Sequence, residues 1–179
     1  MRMRNATIED ATAIASVHLA SWKTTYPGII PQEYIDGLTV ENWIARWQGM
    51  LDEKSLNEKR MTVLVAEDDS GVFGFAAGGA VMHPVEGYDG ELGAIYLLAS
   101  HQGKGTGAAL VRRVASGLRQ RGFGNMAVWV LRGNPACAFY QRLGGVQVAE
   151  QTIEIGGKPL PEIAYGWPEI GVLCGAAQS

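Results

Sequence analysis

The spacing of apolar positions divides the chain into two parts. Ala11, Ile14, Ala15, His18, Leu19 and Trp22 recur at helical intervals behind a short strand-like opening, residues 1–6. Thr7 is a suitable N-cap for that helix, with Glu9 and Asp10 placing acids in its first turn. The stretch PGIIP (27–31) ends it. Val40, Ile44, Trp47 and Leu51 define a second helical face, and residues 52–60 are charged and read as solvated.

From residue 61 the period shortens. MTVLVAE (61–67) and VFGFAAGGAV (72–81) predict a hairpin around the turn DDSG, and HPVEGYDG (83–90) predicts a loop. ELGAIYLL (91–98) has the continuous apolar character of a buried strand. A glycine-rich loop then leads into a helix from about Gly105 to Arg121, with Val111, Val114, Ala115 and Leu118 on its inner face and Gly122 as its stop. AVWVL (127–131) is the next strand. Asn134-Pro135 pairs an N-cap with a proline at the first helical position, and that helix runs to Leu143. VQVAEQTIEI (146–155) and LPEIAYGW (160–167) form a last hairpin, and the final ten residues, small and apolar, depend on packing for order. The order is β-α-α-β-β-β-α-β-α-β-β. There is no internal repeat or linker, so one domain over residues 1–179 is expected.

Composition narrows the class. The 179 residues are 47% hydrophobic and 18% charged, enough to bury a core, and the net charge of −3 gives no argument for nucleic acid or an anionic membrane as partner. The two cysteines and three histidines have no metal-ligand spacing, so no metal is expected. The opening MRMRNATIED reaches acids before any apolar run and does not read as a secretory signal. A cytoplasmic, reducing location is the expectation. A homodimer is compatible with the sequence.

The chemistry concentrates in AIYLLASHQGKGTGAALVRR (94–113). Gly103, Gly105 and Gly107 alternate between a strand and a helix, so successive N–H groups from Gly103 to Ala108 can converge on a phosphate at a helix N-terminus. A nucleotide P-loop does not fit, because no Gly-Lys-Ser/Thr follows and Leu98 stands where its first glycine belongs. A dinucleotide fingerprint fits as letters at Gly103, Gly105 and Ala108, and a redox enzyme is the weaker reading. It expects an acid about 20 residues on, and residues 92–149 contain none. That segment instead carries Lys104, Arg112, Arg113, Arg119, Arg121, Arg132 and Arg142. Arg119 and Arg121 suit a helix C-terminus; the whole set suits a ligand with several negative charges.

Two motifs together, Gln102-Gly103-Lys104-Gly105-Thr106-Gly107 and the Asn134- and Tyr140-containing NPACAFYQRLGG, resemble the GCN5-related N-acetyltransferase (GNAT) family. The resemblance implies a mixed, mostly antiparallel α/β sheet of six or seven strands flanked by about four helices. It implies acetyl-CoA as co-substrate, with its pyrophosphate on Gln102, Gly103, Lys104, Gly105, Thr106, Gly107 and Ala108. Its pantetheine arm would lie along Leu97, Leu98 and Ala99, and Asn134 would contact it from the other side. A backbone N–H near Leu97 or Leu98 would polarise the thioester carbonyl, and Tyr140 would protonate the leaving sulfur. Glu91, with Glu67 as the weaker candidate, would serve as base. Trp22 and Tyr26, one helical turn apart, would line the pocket of a small amine, to which the acidic residues Glu86 and Asp89 could also draw a cation. Ala99 and Gly145 depart from the family's usual proline and aromatic, and Gln102 is its alternative to arginine. Acetylation of a protein or peptide, or an acyl-CoA-binding module without turnover, are the rival functions.

Overall fold

A computed structural model of the chain describes residues 1–175. Seven strands, β1 (Arg2–Asn5), β2 (Thr62–Asp68), β3 (Gly71–Val85), β4 (Tyr88–Leu97), β5 (Met126–Leu131), β6 (Val146–Ile155) and β7 (Lys158–Trp167), form one sheet in the order β1-β2-β3-β4-β5-β7-β6. Every neighbouring pair is antiparallel except β4 and β5, which are parallel and in register at Glu91 and Ala127 alone.

Helices cover both faces. Alternate residues of β2 explain its continuous apolar run. Val63 and Val65 pack with α1 (Ala11–Thr25) and α3 (Val40–Leu51), while Leu64 and Ala66 pack on the other face with α5 (Thr106–Gln120). Gly78 of β3 lets α5 close on the sheet. A Cβ at Gly78 would sit 2.6 Å from Val114 Cγ1 and 2.8 Å from the Glu91 carbonyl oxygen. Gly78→Ala is therefore expected to destabilise the protein by about 1–3 kcal/mol, read as a lower urea midpoint with an unchanged slope.

Several expectations need correction. Residues 83–90 are not a loop: β3 and β4 extend through them and turn at Glu86-Gly87. The ladder skips residues between Ala80 and Val85, and this irregularity, containing Pro84, is what disguised the strand. The charged run holds a short helix, α4 (Glu53–Glu58), whose Asp52 cap accepts from the Ser55 N–H at 3.2 Å. A further short helix, α2 (Gln32–Asp36), follows PGIIP. Thr7 precedes a 3₁₀ turn, Ile8–Asp10, rather than α1 itself, and the Asp10 carboxylate reaches back to the Thr7 N–H at 2.8 Å. The helix led by Asn134 is α6 (Ala136–Arg142). Of the final ten residues, Gly171–Cys174 form α7, with Leu173 buried; residues 176–179 lie outside the described ones. No helix among the described residues is long and apolar enough to cross a membrane.

Candidate active site

The parting of β4 and β5 opens a cleft of about 870 Å3. One wall is backbone. The Leu98 N–H donates to the Phe73 carbonyl at 2.9 Å. Antiparallel alternation then directs the N–H groups of Ile95 and Leu97 away from β3, into the cleft. The Leu97 carbonyl already accepts from Gln102 Nε2 at 3.0 Å and lies 3.4 Å from Ser21 Oγ. Leu98 is thus a correction: its N–H is committed to β3 and cannot bind a ligand. Ile95, one step back from Leu97, has its N–H on the open side and lines the cleft.

The floor is the glycine loop. Gly103 and Gly105 have φ of 74° and 84°, the left-handed region that glycine enters without strain. None of the six N–H groups from Gly103 to Ala108 meets an acceptor among the described residues; the ladder of α5 starts with the Ala109 N–H on the Gly105 carbonyl. A Cβ at either of the two glycines would enter open space, so nothing in the protein fills this cradle. A run of unpaired donors at a helix N-terminus suits a pyrophosphate. Two side chains expected here lie off the cleft. Lys104 Nζ donates to the Ser100 carbonyl at 2.9 Å, and Thr106 is buried with Oγ1 3.4 Å from Met1 Sδ. These two contribute backbone N–H groups alone.

The basic segment is also dispersed. Arg142 lines the cleft, but Arg132 pairs with Glu150 at 2.6 Å, Arg113 reaches the Met3 carbonyl and Arg121 reaches Thr62 Oγ1. The seven charges do not form one ligand-facing patch.

Asn134 and Tyr140 stand on the far wall. Asn134 Oδ1 caps α6 by accepting from the Ala136 N–H at 2.9 Å. The Tyr140 ring is 4% exposed and packs near Phe139, Tyr165 and Trp167. Its hydroxyl has no hydrogen-bond partner among the described residues, yet no polar side-chain atom there is both fully buried and unpartnered. The hydroxyl therefore opens onto the cleft. Burial pushes its pKa well above the ordinary tyrosine value, so it stays protonated.

A second cavity, about 150 Å3, lies between β3, β4 and the α1–α3 pair. It shares Trp22, Gly93, Ala94 and Tyr96 with the cleft. Trp22 Nε1 donates to the Tyr96 hydroxyl at 3.1 Å, and the Tyr26 hydroxyl lies 3.2 Å from it. Both expected aromatics thus stand at the junction, Tyr26 on the cleft side. Glu91 lines the cavity and is 4% exposed rather than solvated at a strand end. Its Oε2 accepts from the N–H groups of Met82 (2.7 Å) and His83 (2.9 Å), which the β3 irregularity frees, and Oε1 is 2.8 Å from His83 Nδ1. Glu67 is otherwise engaged, held by Arg4 at 2.9–3.2 Å. Glu86 and Asp89 sit at the exposed hairpin end and line neither cavity.

Sequence reasoning missed His18, Trp43, Arg46, Trp47, Met82, His83 and Tyr96 as cavity residues. His18 and Trp47 carried a signal, since both fall on predicted inner helical faces, but that signal reads equally as core.

Comparison with known proteins agrees with this architecture. A family model described as FR47-like protein matches residues 71–153, the span from β3 into β6. An uncharacterized N-acetyltransferase of Bacillus subtilis, YuaI, is 44% identical over 172 residues, covering 96% of this chain and 95% of that protein. Among solved structures, a ribosomal-protein-alanine N-acetyltransferase from Brucella melitensis superposes with a TM-score of 0.71 at 23% identity, over 93% of this chain and 99% of that one. PaiA N-acetyltransferase from Thermoplasma acidophilum, solved in complex with coenzyme A, gives 0.64 at 23% identity, over 90% and 96%. The chain belongs to the GNAT family of acetyl-CoA-dependent acetyltransferases.

Proposed function

We propose that the protein transfers acetyl from acetyl-CoA to the primary amine of a small molecule, by direct attack with both substrates bound. The observation that carries this reading is the meeting of two spaces at Gly93, Ala94 and Tyr96. One is a donor-lined cleft, the other a small aromatic cavity holding a buried carboxylate. The unpaired N–H groups of residues 103–108 hold the pyrophosphate, and Asn134, Ala99 and the open edge of β4 hold the arm. An N–H of Ile95 or Leu97 polarises the acetyl carbonyl and stabilises the charge that develops on it.

Glu91 takes the proton of the incoming ammonium, and His83, with its ring at the surface, passes it to solvent. Tyr140 supplies a proton to the departing sulfur. Holding amine and thioester side by side supplies much of the acceleration. The cavity's confinement by Trp22, Trp43 and Tyr96 favours a small molecule over a peptide chain.

The test is thiol release from acetyl-CoA across polyamines, aminoglycosides, amino acids and short peptides. Turnover of a free small amine is expected. Turnover of peptides alone would overturn the small-molecule assignment, and acetyl-CoA binding without turnover of any amine would overturn the transfer itself.

A further inference from the structure

The smaller cavity carries charges that acetyl transfer does not by itself require. Arg46 and Lys59 both line it, both are exposed, and neither forms an ion pair among the described residues. The Arg46 guanidinium lies over the Trp43 ring, 5.4 Å from its centroid. Set against them is one carboxylate, Glu91. A polyamine in this space would meet the like charge of Arg46 as well as the acid.

His18 adds a directional group. Its ring lies between Trp43 and Tyr96, with centroids 3.8 and 4.5 Å away. Trp47 Nε1–H donates to His18 Nδ1 at 3.2 Å, which places the remaining ring proton on Nε2. Nε2 has no protein partner among the described residues, and none of their polar side-chain atoms is fully buried without one, so Nε2 opens onto the cavity it lines. Burial and the Arg46 charge push the His18 pKa down to about 3, so the ring is neutral. It is then a hydrogen-bond donor at Nε2, not a base. A donor in a cavity whose lining includes Arg46, whose charge acts on the ring, describes a receptor for an oxygen bearing negative charge. The space is about 150 Å3 and opens into the larger cleft, so it suits a compact acceptor. On a compact acceptor, ammonium and oxyanion lie only a few bonds apart.

We propose that the acceptor is a compact amine that also carries an oxyanion, of the amino-acid type. His18 Nε2–H and Arg46 receive the oxyanion, and Glu91 faces the ammonium. His18 and Arg46 are thus specificity residues for the reaction, an assignment that rests on the amine-acetylation reading above.

The test compares matched acceptors: leucine with isopentylamine, methionine with 3-(methylthio)propylamine, and leucinamide and spermidine beside them. Wild type should favour each acid over its decarboxylated partner by about tenfold or more in kcat/KM, the scale of a charge-assisted hydrogen bond. Arg46→Gln, at an exposed position, should raise KM for the acids more than for the plain amines. His18→Phe should also raise KM for the acids more than for the amines, and Arg46→Glu should turn the preference toward the amines. Equal or better turnover of isopentylamine or spermidine by wild type would overturn the proposal while leaving amine acetylation in place. So would Arg46→Gln slowing both series alike. If no amine is acetylated, the transfer reading falls, and calorimetry with coenzyme A present decides the site alone. N-acetylleucine binding more tightly than N-isopentylacetamide, with the difference lost in Arg46→Gln, would sustain it. Equal or absent binding of the two would end it.

Discussion

Glu91→Gln is expected to lower kcat/KM for the acceptor amine by about 10²–10³-fold, without loss of coenzyme A binding. The substitution is nearly isosteric. A glutamine carbonyl can accept from the Met82 and His83 N–H groups as Oε2 does now, and its amide then faces His83 Nδ1, which accepts as the other tautomer. The β3 irregularity should therefore survive, and the thermal unfolding midpoint should stay close to wild type. What is lost is the proton acceptor beside the amine. The residual reaction must draw on amine that is already neutral. Its kcat/KM should rise with pH until the acceptor's own pKa is reached, and the deficit should narrow over that range. Steady-state kinetics from pH 6 to 10 would check this. An unchanged rate at neutral pH, or a deficit independent of pH, would remove Glu91 from the base role and leave it as the carboxylate that shapes β3.

The two halves of the site differ in how far the sequence discloses them. The glycine loop is local geometry: a glycine at positive φ and a helix start are written within six residues, so the cradle of free N–H groups from Gly103 to Ala108 was readable in place. Asn134 was readable for the same reason, because capping spans two residues. Leu98 was misassigned because the direction of its N–H depends on register with Phe73, 25 positions earlier. The smaller cavity is assembled from α1, α3, β3 and β4, and its residues look like core in isolation. His18 and Trp47 each fit an apolar helical stripe; only their mutual hydrogen bond across 29 positions reveals a fixed tautomer. Glu91 was legible as a strand-opening acid, but its burial follows from the β3 irregularity, which the turn-like composition of HPVEGYDG concealed. The order of strands and helices along the chain followed from the alternation of periods. The parting of β4 from β5 did not, since nothing in either strand's composition marks where pairing stops.

Tyr140→Phe is expected to reduce kcat by about 10²-fold with little change in the KM for acetyl-CoA. The ring keeps its packing near Phe139, Tyr165 and Trp167, and the hydroxyl removed has no protein partner to orphan. Stability should therefore be unaffected, unlike the usual loss when a buried hydrogen-bonded group is deleted. The effect should depend on the leaving group. A thiolate that is a weak base departs without a proton, so the deficit should shrink when the acetyl donor is a thioester of a more acidic thiol. Because burial holds the phenol protonated well beyond its ordinary range, the wild-type pH profile should show no descending limb from Tyr140 below about pH 10. A deficit of equal size for all donors would mean that the hydroxyl positions the thioester rather than protonating the sulfur. The same kinetic series would then show the loss in KM as well as in kcat.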